Sequence, residues 1–205
     1  MFRNYSELAK LKEEWPADLA ALDEWLRGFI CQPHSELLRA GAVCPHVPDA
    51  LSQRRLLLAH VNIQADPGTD KRELLVQNLL RIGPAFKAAT SDEEFSLDCL
   101  IVTLGGLAKH EWRYVVDGAH RLVKPHVLRL KLMVGGFYPT NNRPSRRNPL
   151  FFPMQAPVPL VAFRHMVRRD RHTLRESDLY LSIYETFYPT RGQASATTPS
   201  APKRP

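Results

Sequence analysis

The sequence predicts an α+β (or α/β) protein: a single sheet of about four strands with helices packed on it, in a single domain. Three observations point there. Short apolar runs rich in Val, Leu and Phe recur along the chain, segments with helical spacing of apolar residues lie between them, and turn residues separate the two. The composition, 44% hydrophobic and 24% charged over 205 residues, belongs to a chain long enough to bury a core without disulfide support.

In chain order, residues 17–30 read as an amphipathic helix on Leu19, Leu22, Leu26 and Phe29 or Ile30. A turn-rich stretch, 32–49, leads to a strand at 55–63 that is apolar almost throughout, as a central strand covered on both faces is. Thr69 or Asp70 caps a helix with Leu75, Leu79, Ile82, Phe86 and Ala89 on one side, and Pro84 is expected to bend or interrupt it. A second strand, 95–104, is closed by Gly105 and Gly106. A long helix follows at 110–129, its stripe read as Trp112, Val115, Ala119, Leu122 and His126, broken near its end by Pro125. Strands at 132–137 and 158–167 flank an 18-residue segment, 138–155, that holds four prolines and three arginines. So long a connection without regular structure points to a functional loop. Ser177 caps a last helix whose Tyr180, Ile183, Tyr184 and Phe187 are read as docking on the core. Residues 1–189 form the expected domain, and 190–205, built of Gly, Ser, Ala, Thr, Pro and Lys/Arg, a disordered basic tail.

Charge divides the chain. Residues 1–100 carry 11 Lys+Arg against 15 Asp+Glu, and residues 101–205 carry 17 against 6. A basic half suits an anionic partner, which the sequence leaves open among an anionic small molecule, an acidic carrier protein and nucleic acid, or it is simply a solvated face. Nucleic acid is the weakest of these, because aromatic RNP strands, paired zinc ligands and a helix-turn-helix are all missing from the sequence. The longest mostly apolar stretch, 99–108, has about half the ~20 residues of a membrane-spanning helix, and the first residues are no signal peptide, so a cytoplasmic protein is expected.

Cys31, His34, Cys44 and His46 fall within sixteen residues, but their spacing is tighter than common zinc patterns and no metal site is expected. Cys44-Pro45 also reads as a haem-thiolate dipeptide, with His46, His126 or His165 as equally plausible iron ligands in its place, which makes haem a candidate cofactor. The most informative stretch is 131–170. A strand ends in two glycines, a guanidinium-rich loop follows, and a strand returns to end at Arg164, His165 and, just beyond, Asp170. Alternation puts His165 with Val161 and Phe163 on one face and Arg164 with Leu160 and Ala162 on the other. Two readings stand. One is a buried histidine and a structural Arg164–Asp170 pair. The other is a pocket with Arg164, His165 and Asp170 as catalytic groups and Tyr138, Arg143, Arg147, Asn148 and Arg164 on the substrate.

The run Gly-Ala-Val-Cys-Pro-His-Val-Pro-Asp-Ala-Leu at 41–51, the Leu-Val-Lys-Pro-His at 122–126, and the Gly-Gly-Phe-Tyr-Pro, Arg-Asn-Pro-Leu-Phe, Pro-Val-Pro-Leu and Arg-His-Met pieces beyond resemble an uncharacterised bacterial domain family often encoded beside natural-product biosynthesis genes. The resemblance covers most of 25–188 and implies a biosynthetic protein of secondary metabolism. That family usually has Phe-His-Pro where this chain has Phe137-Tyr138-Pro139, which puts competence at that point in question. More distantly, the Cys-Pro turn and proline-rich return strand are similar to haem-dependent N-oxygenases, implying an oxygenase acting on an amino-acid-like small molecule. The alternative is a non-enzymatic module that docks on an acidic carrier protein.

Overall fold

The computed structural model describes residues 2–11, 15–64, 66, 68–90 and 96–189. The expected tail at 190–205 and the start of the strand expected from residue 95 lie outside these residues. One mixed sheet of five strands runs through the molecule in the order β1-β2-β3-β5-β4: β1 Arg3–Asn4, β2 Leu56–Asn62, β3 Cys99–Gly105, β4 Leu132–Phe137 and β5 Leu160–His165. Among the described residues seven α-helices accompany it: α1 Tyr5–Leu11, α2 Leu19–Trp25, α3 Val47–Ser52, α4 Lys71–Ala89, α5 Gly118–Arg129, α6 Arg171–Leu174 and α7 Asp178–Phe187. The fold is therefore α+β in one domain, with a fifth strand beyond the expected four. β1 escaped the sequence because two residues carry no period; its ladder partners are Leu58 and Leu57.

β2 and β3 are parallel, joined through α4, whereas β5 inserts antiparallel between β3 and β4. The alternation read from the sequence holds. Val161 and Phe163 enter the core under α4 and α5, with Leu75, Leu79, Phe86, Val102 and Val123. Leu160 enters the core on the other face, with Leu22, Leu26, Ile30, Leu58 and Ile101. A third cluster, Leu128, Met133, Met166, Ile183, Tyr184 and Tyr188, docks α7 at the end of the sheet. Tyr188 takes the place expected of Phe187, which is exposed.

Neither proline interrupts its helix, so the break expected at Pro125 is corrected. Pro84 lies inside α4 and Pro125 inside α5, and each helix continues. Pro84 sits on the exposed side, where the carbonyl that loses its partner is open to water, so the chain tolerates the missing bond. The long helix read at 110–129 begins as a 3-10 turn, Lys109–Glu111, passes through a π turn, Arg113–Asp117, and only then becomes α5. That π turn adds a residue and rotates everything after it by about one helical step. The buried stripe therefore shifts from the expected Leu122 and His126, both exposed, to Val116, Ala119, His120, Val123, Lys124 and Val127.

Candidate functional site

The phase shift after the π turn has a chemical result: it buries an imidazole and an ammonium, one helical turn apart, on the face that covers β4. β4 is an edge strand, so its outward carbonyls need partners. His120 Nε2 donates to the carbonyl of Val134 at 3.1 Å, and Asn141 Nδ2 donates to that of Gly136 at 3.3 Å. Because a carbonyl only accepts, the proton of His120 sits on Nε2. Burial first, and then the charges of Lys124 and Arg143, push His120 down to about 4, so the ring is neutral near pH 7.

Glycine makes the close approach of strand and helix possible. A Cβ on Gly136 would come within 2.8 Å of Val116 Cγ1. Directly beyond it, the Tyr138 hydroxyl donates to Asp117 Oδ2 at 2.9 Å, joining the end of β4 to the end of the π turn. Burial, followed by the Asp117 hydrogen bond and charge, pushes the phenol up to about 12. Asn141 Oδ1 accepts the Arg143 backbone N–H at 2.9 Å and so sets the start of the loop.

Lys124 is 3% exposed. Its Nζ donates to Glu176 Oε1 at 2.8 Å and lies 4.5 Å from the centre of the Tyr180 ring. Burial works against ionisation of Glu176, but the hydrogen bond and charge of Lys124, with Arg143 and His120 behind them, outweigh it and hold the carboxyl below its usual range. Around this buried group stand three exposed guanidinium groups. Arg143 acts electrostatically on His120, Tyr138, Glu176 and Tyr180, Arg113 on Tyr138, and Arg121 on Tyr180. None of the three has a carboxylate partner in an ion pair among the described residues.

The other residues singled out in the sequence are placed elsewhere. Arg164 holds Asp170 through two contacts, Nη1 at 2.8 Å and Nη2 at 2.6 Å, and Asp170 is 4% exposed. His165 packs against Phe86 at 5.7 Å between ring centres, with Nε2 2.9 Å from Thr90 Oγ1. The Thr90 proton goes to the Phe86 carbonyl at 2.8 Å, so it is His165 Nε2 that donates. Arg147 Nη1 donates to the Leu38 carbonyl and Asn148 Nδ2 to that of Glu36, which pins the 138–155 loop to the turn at 35–38. The structure therefore gathers Tyr138 and Arg143 and separates them from the Arg164–Asp170 pair and from the Arg147–Asn148 contacts.

Cys44, His126 and His165 are not brought together. Cys44 packs at the α2 side of the sheet, His165 lies under α4, and His126 is exposed on α5. Neither of two surface concavities, about 440 Å³ beside Ile63 and Lys71 and about 490 Å³ beside Trp25 and Pro157, is lined by any of them. The structure therefore does not gather these three residues around one haem. Among the described residues no group of three or more His, Cys, Asp and Glu side chains is placed to hold a metal ion, and no helix is long and apolar enough to cross a membrane.

His120, Lys124, Asp117 and Glu176 were missed in the sequence. His120 and Lys124 do stand four apart beside an apolar stripe, which is a readable signal once the phase is right. Comparison with known proteins found no similar curated protein and no similar solved structure. A family model matches residues 19–198, the whole span that carries the β4–α5 cluster, and the chain belongs to that family, described as a domain of unknown function (DUF6875).

Proposed function

We propose that the protein binds an anionic small molecule, a carboxylate or phosphate ester, at the β4 edge. The observation that carries this reading is the convergence of Arg113, Arg121 and Arg143 on a buried polar group that already contains Lys124. Four cationic side chains face the two carboxylates Asp117 and Glu176, and His120 stays neutral, so the site keeps an excess of positive charge. Guanidinium groups present forked donors that match carboxylate and phosphate oxygens. The neutral imidazole and the phenol of Tyr138 add positioned polar groups without cancelling that charge. The resemblance to a family of natural-product gene neighbourhoods makes an intermediate of secondary metabolism the expected kind of ligand.

Thermal-shift and calorimetric titrations with inorganic phosphate, citrate and succinate test the proposal. Binding should weaken as salt rises, and Arg143→Ala should weaken it about tenfold, near 1.4 kcal/mol. Hydrogen exchange should slow in 138–155 on binding. If none of these anions, nor a wider panel of carboxylated and phosphorylated metabolites, shifts the protein, the reading fails. An acidic carrier protein as the true partner would show salt-dependent association that the same Arg143→Ala change weakens, with no response to free phosphate.

A further inference from the structure

Two of the three cysteines, Cys31 and Cys44, are brought close together where the chain doubles back after α2. Cys31 follows the π turn Leu26–Ile30, and the chain returns past it at residues 42–44. Pro33 bridges Ala42, the Val43 N–H donates to the Gln32 carbonyl at 2.9 Å, and the Cys44 N–H donates to the Ile30 carbonyl at 3.0 Å. The last of these bonds joins Cys44 to the peptide that leads directly into Cys31. With standard backbone dimensions it keeps their α-carbons within about 7 Å, where disulfides, with spans of roughly 4.4–6.8 Å, are found. Both residues are partly exposed, so a small oxidant can reach them.

Their surroundings differ in a way that assigns roles. Cys44 lies near Arg164, a guanidinium already held by Asp170, and is open enough for a small peroxide to reach. Burial, and then the neighbouring Cys44, push the Cys31 thiol up. Cys99 also lies near Cys44, but it is buried within β3 and pushed up to about 12, mainly by that burial.

We propose that Cys44 and Cys31 are a redox pair that forms a reversible disulfide within one chain, Cys44 meeting a peroxide and Cys31 resolving the product. The Cys44 thiolate attacks one oxygen of hydrogen peroxide; the O–O bond breaks, hydroxide leaves, and a sulfenic acid remains. The Cys31 thiolate then attacks that sulfur, the S–O bond breaks, and a second hydroxide leaves. With the two thiol protons the hydroxides become two waters, so two electrons pass from the thiols to the peroxide. The bond closes the loop 31–44, which carries His34, stacked on Phe151, and the Glu36 and Leu38 carbonyls that hold Asn148 and Arg147. Oxidation therefore fixes the platform under the 138–155 loop. The proposal does not depend on what binds at the β4 edge.

The full chain, treated with equimolar hydrogen peroxide, alkylated, digested and mapped by mass spectrometry, should yield a Cys31–Cys44 linked peptide that dithiothreitol cleaves, with Cys99 still a thiol. In Cys31→Ser, Cys44 should be trapped by dimedone as its sulfenic acid. Both cysteines remaining alkylatable after peroxide overturns the pair, as does linkage of Cys44 to Cys99 or to another chain. Dimedone labelling of Cys31 in Cys44→Ser, at the rate seen for Cys44 in Cys31→Ser, overturns the assignment of roles. Mapping of the unsubstituted chain decides the pair even if a serine variant does not fold.

Discussion

Arg164 and Asp170 close on each other through two parallel N–H···O contacts across the end of β5, and Asp170 Oδ2 also accepts the backbone N–H of Val167 at 2.8 Å. One carboxylate thus fixes both a strand end and the turn after it. Asp170→Ala leaves the guanidinium without its partner and should cost about 3–5 kcal/mol. Arg164→Lys keeps the charge but loses the fork, and about 1–3 kcal/mol is expected. Urea denaturation measures both, and phosphate binding should survive in whichever variant folds. Loss of phosphate binding by a stable Arg164→Lys protein would make Arg164 a ligand group instead.

Period and alternation made most of the fold legible. The faces of β5 follow from a period of two, and Leu22, Leu26 and Ile30 from helical spacing. Partners distant in sequence were not legible. Tyr138 meets Asp117, and His120 meets Val134, only because β5 inserts between β3 and β4 and leaves β4 at the edge under α5. Strand order leaves no mark in local spacing. The π turn did further damage: Trp112, Val115 and Ala119 are buried as expected, but beyond them the stripe moves on by one position, so Leu122 and His126 face out and Lys124 is hidden.

Two glycines should respond to alanine in opposite directions. Gly106 has φ +75°, and a Cβ there would stand 2.7 Å from the Ile63 carbonyl oxygen, so Gly106→Ala should destabilise by roughly 2–4 kcal/mol. Gly28 lies in a π turn with nothing within 4 Å of a Cβ. There alanine removes unfolded-state freedom and should stabilise by about 0.5–1 kcal/mol. Melting curves of the two variants are the check, and a shift of the same sign in both would refute the argument.

His120 gives stability a pH dependence of known sign. Its folded value is pushed down to about 4, below the ordinary histidine value of 6.5. Between these two values the unfolded chain holds a proton that the folded one refuses. Stability should therefore fall as pH drops from 6.5 towards 4, by at most about 1.4 kcal/mol per pH unit from this residue, and be flat above. His46, pushed down to about 4 by burial and then by Arg164, adds in the same direction. Denaturation midpoints at pH 7, 6 and 5 should show a shallower decline in His120→Gln; identical declines would show that the ring takes a proton in place.

Lys124 and Glu176 form a pair whose two halves are not equivalent. The lysine side chain is 4% exposed and the glutamate side chain 53%. Removing the glutamate leaves a buried ammonium whose one remaining polar contact among the described residues is the Tyr180 ring, 4.5 Å from its centre. A cation–π contact returns a small part of what burial of that charge costs, so Glu176→Ala should destabilise by about 3 kcal/mol. Removing the lysine instead leaves a carboxylate that water already reaches. Lys124→Met fills the same space with apolar atoms and should be neutral or mildly stabilising. The binding effects run the other way. Lys124→Met takes a cation from beneath Arg143 and should weaken phosphate binding, while Glu176→Ala, where it folds, removes a competing carboxylate and should strengthen it. Denaturation and phosphate titration of the two variants decide the matter. Equal destabilisation, or unchanged binding in both, would mean that the pair is an ordinary structural contact unrelated to any anion.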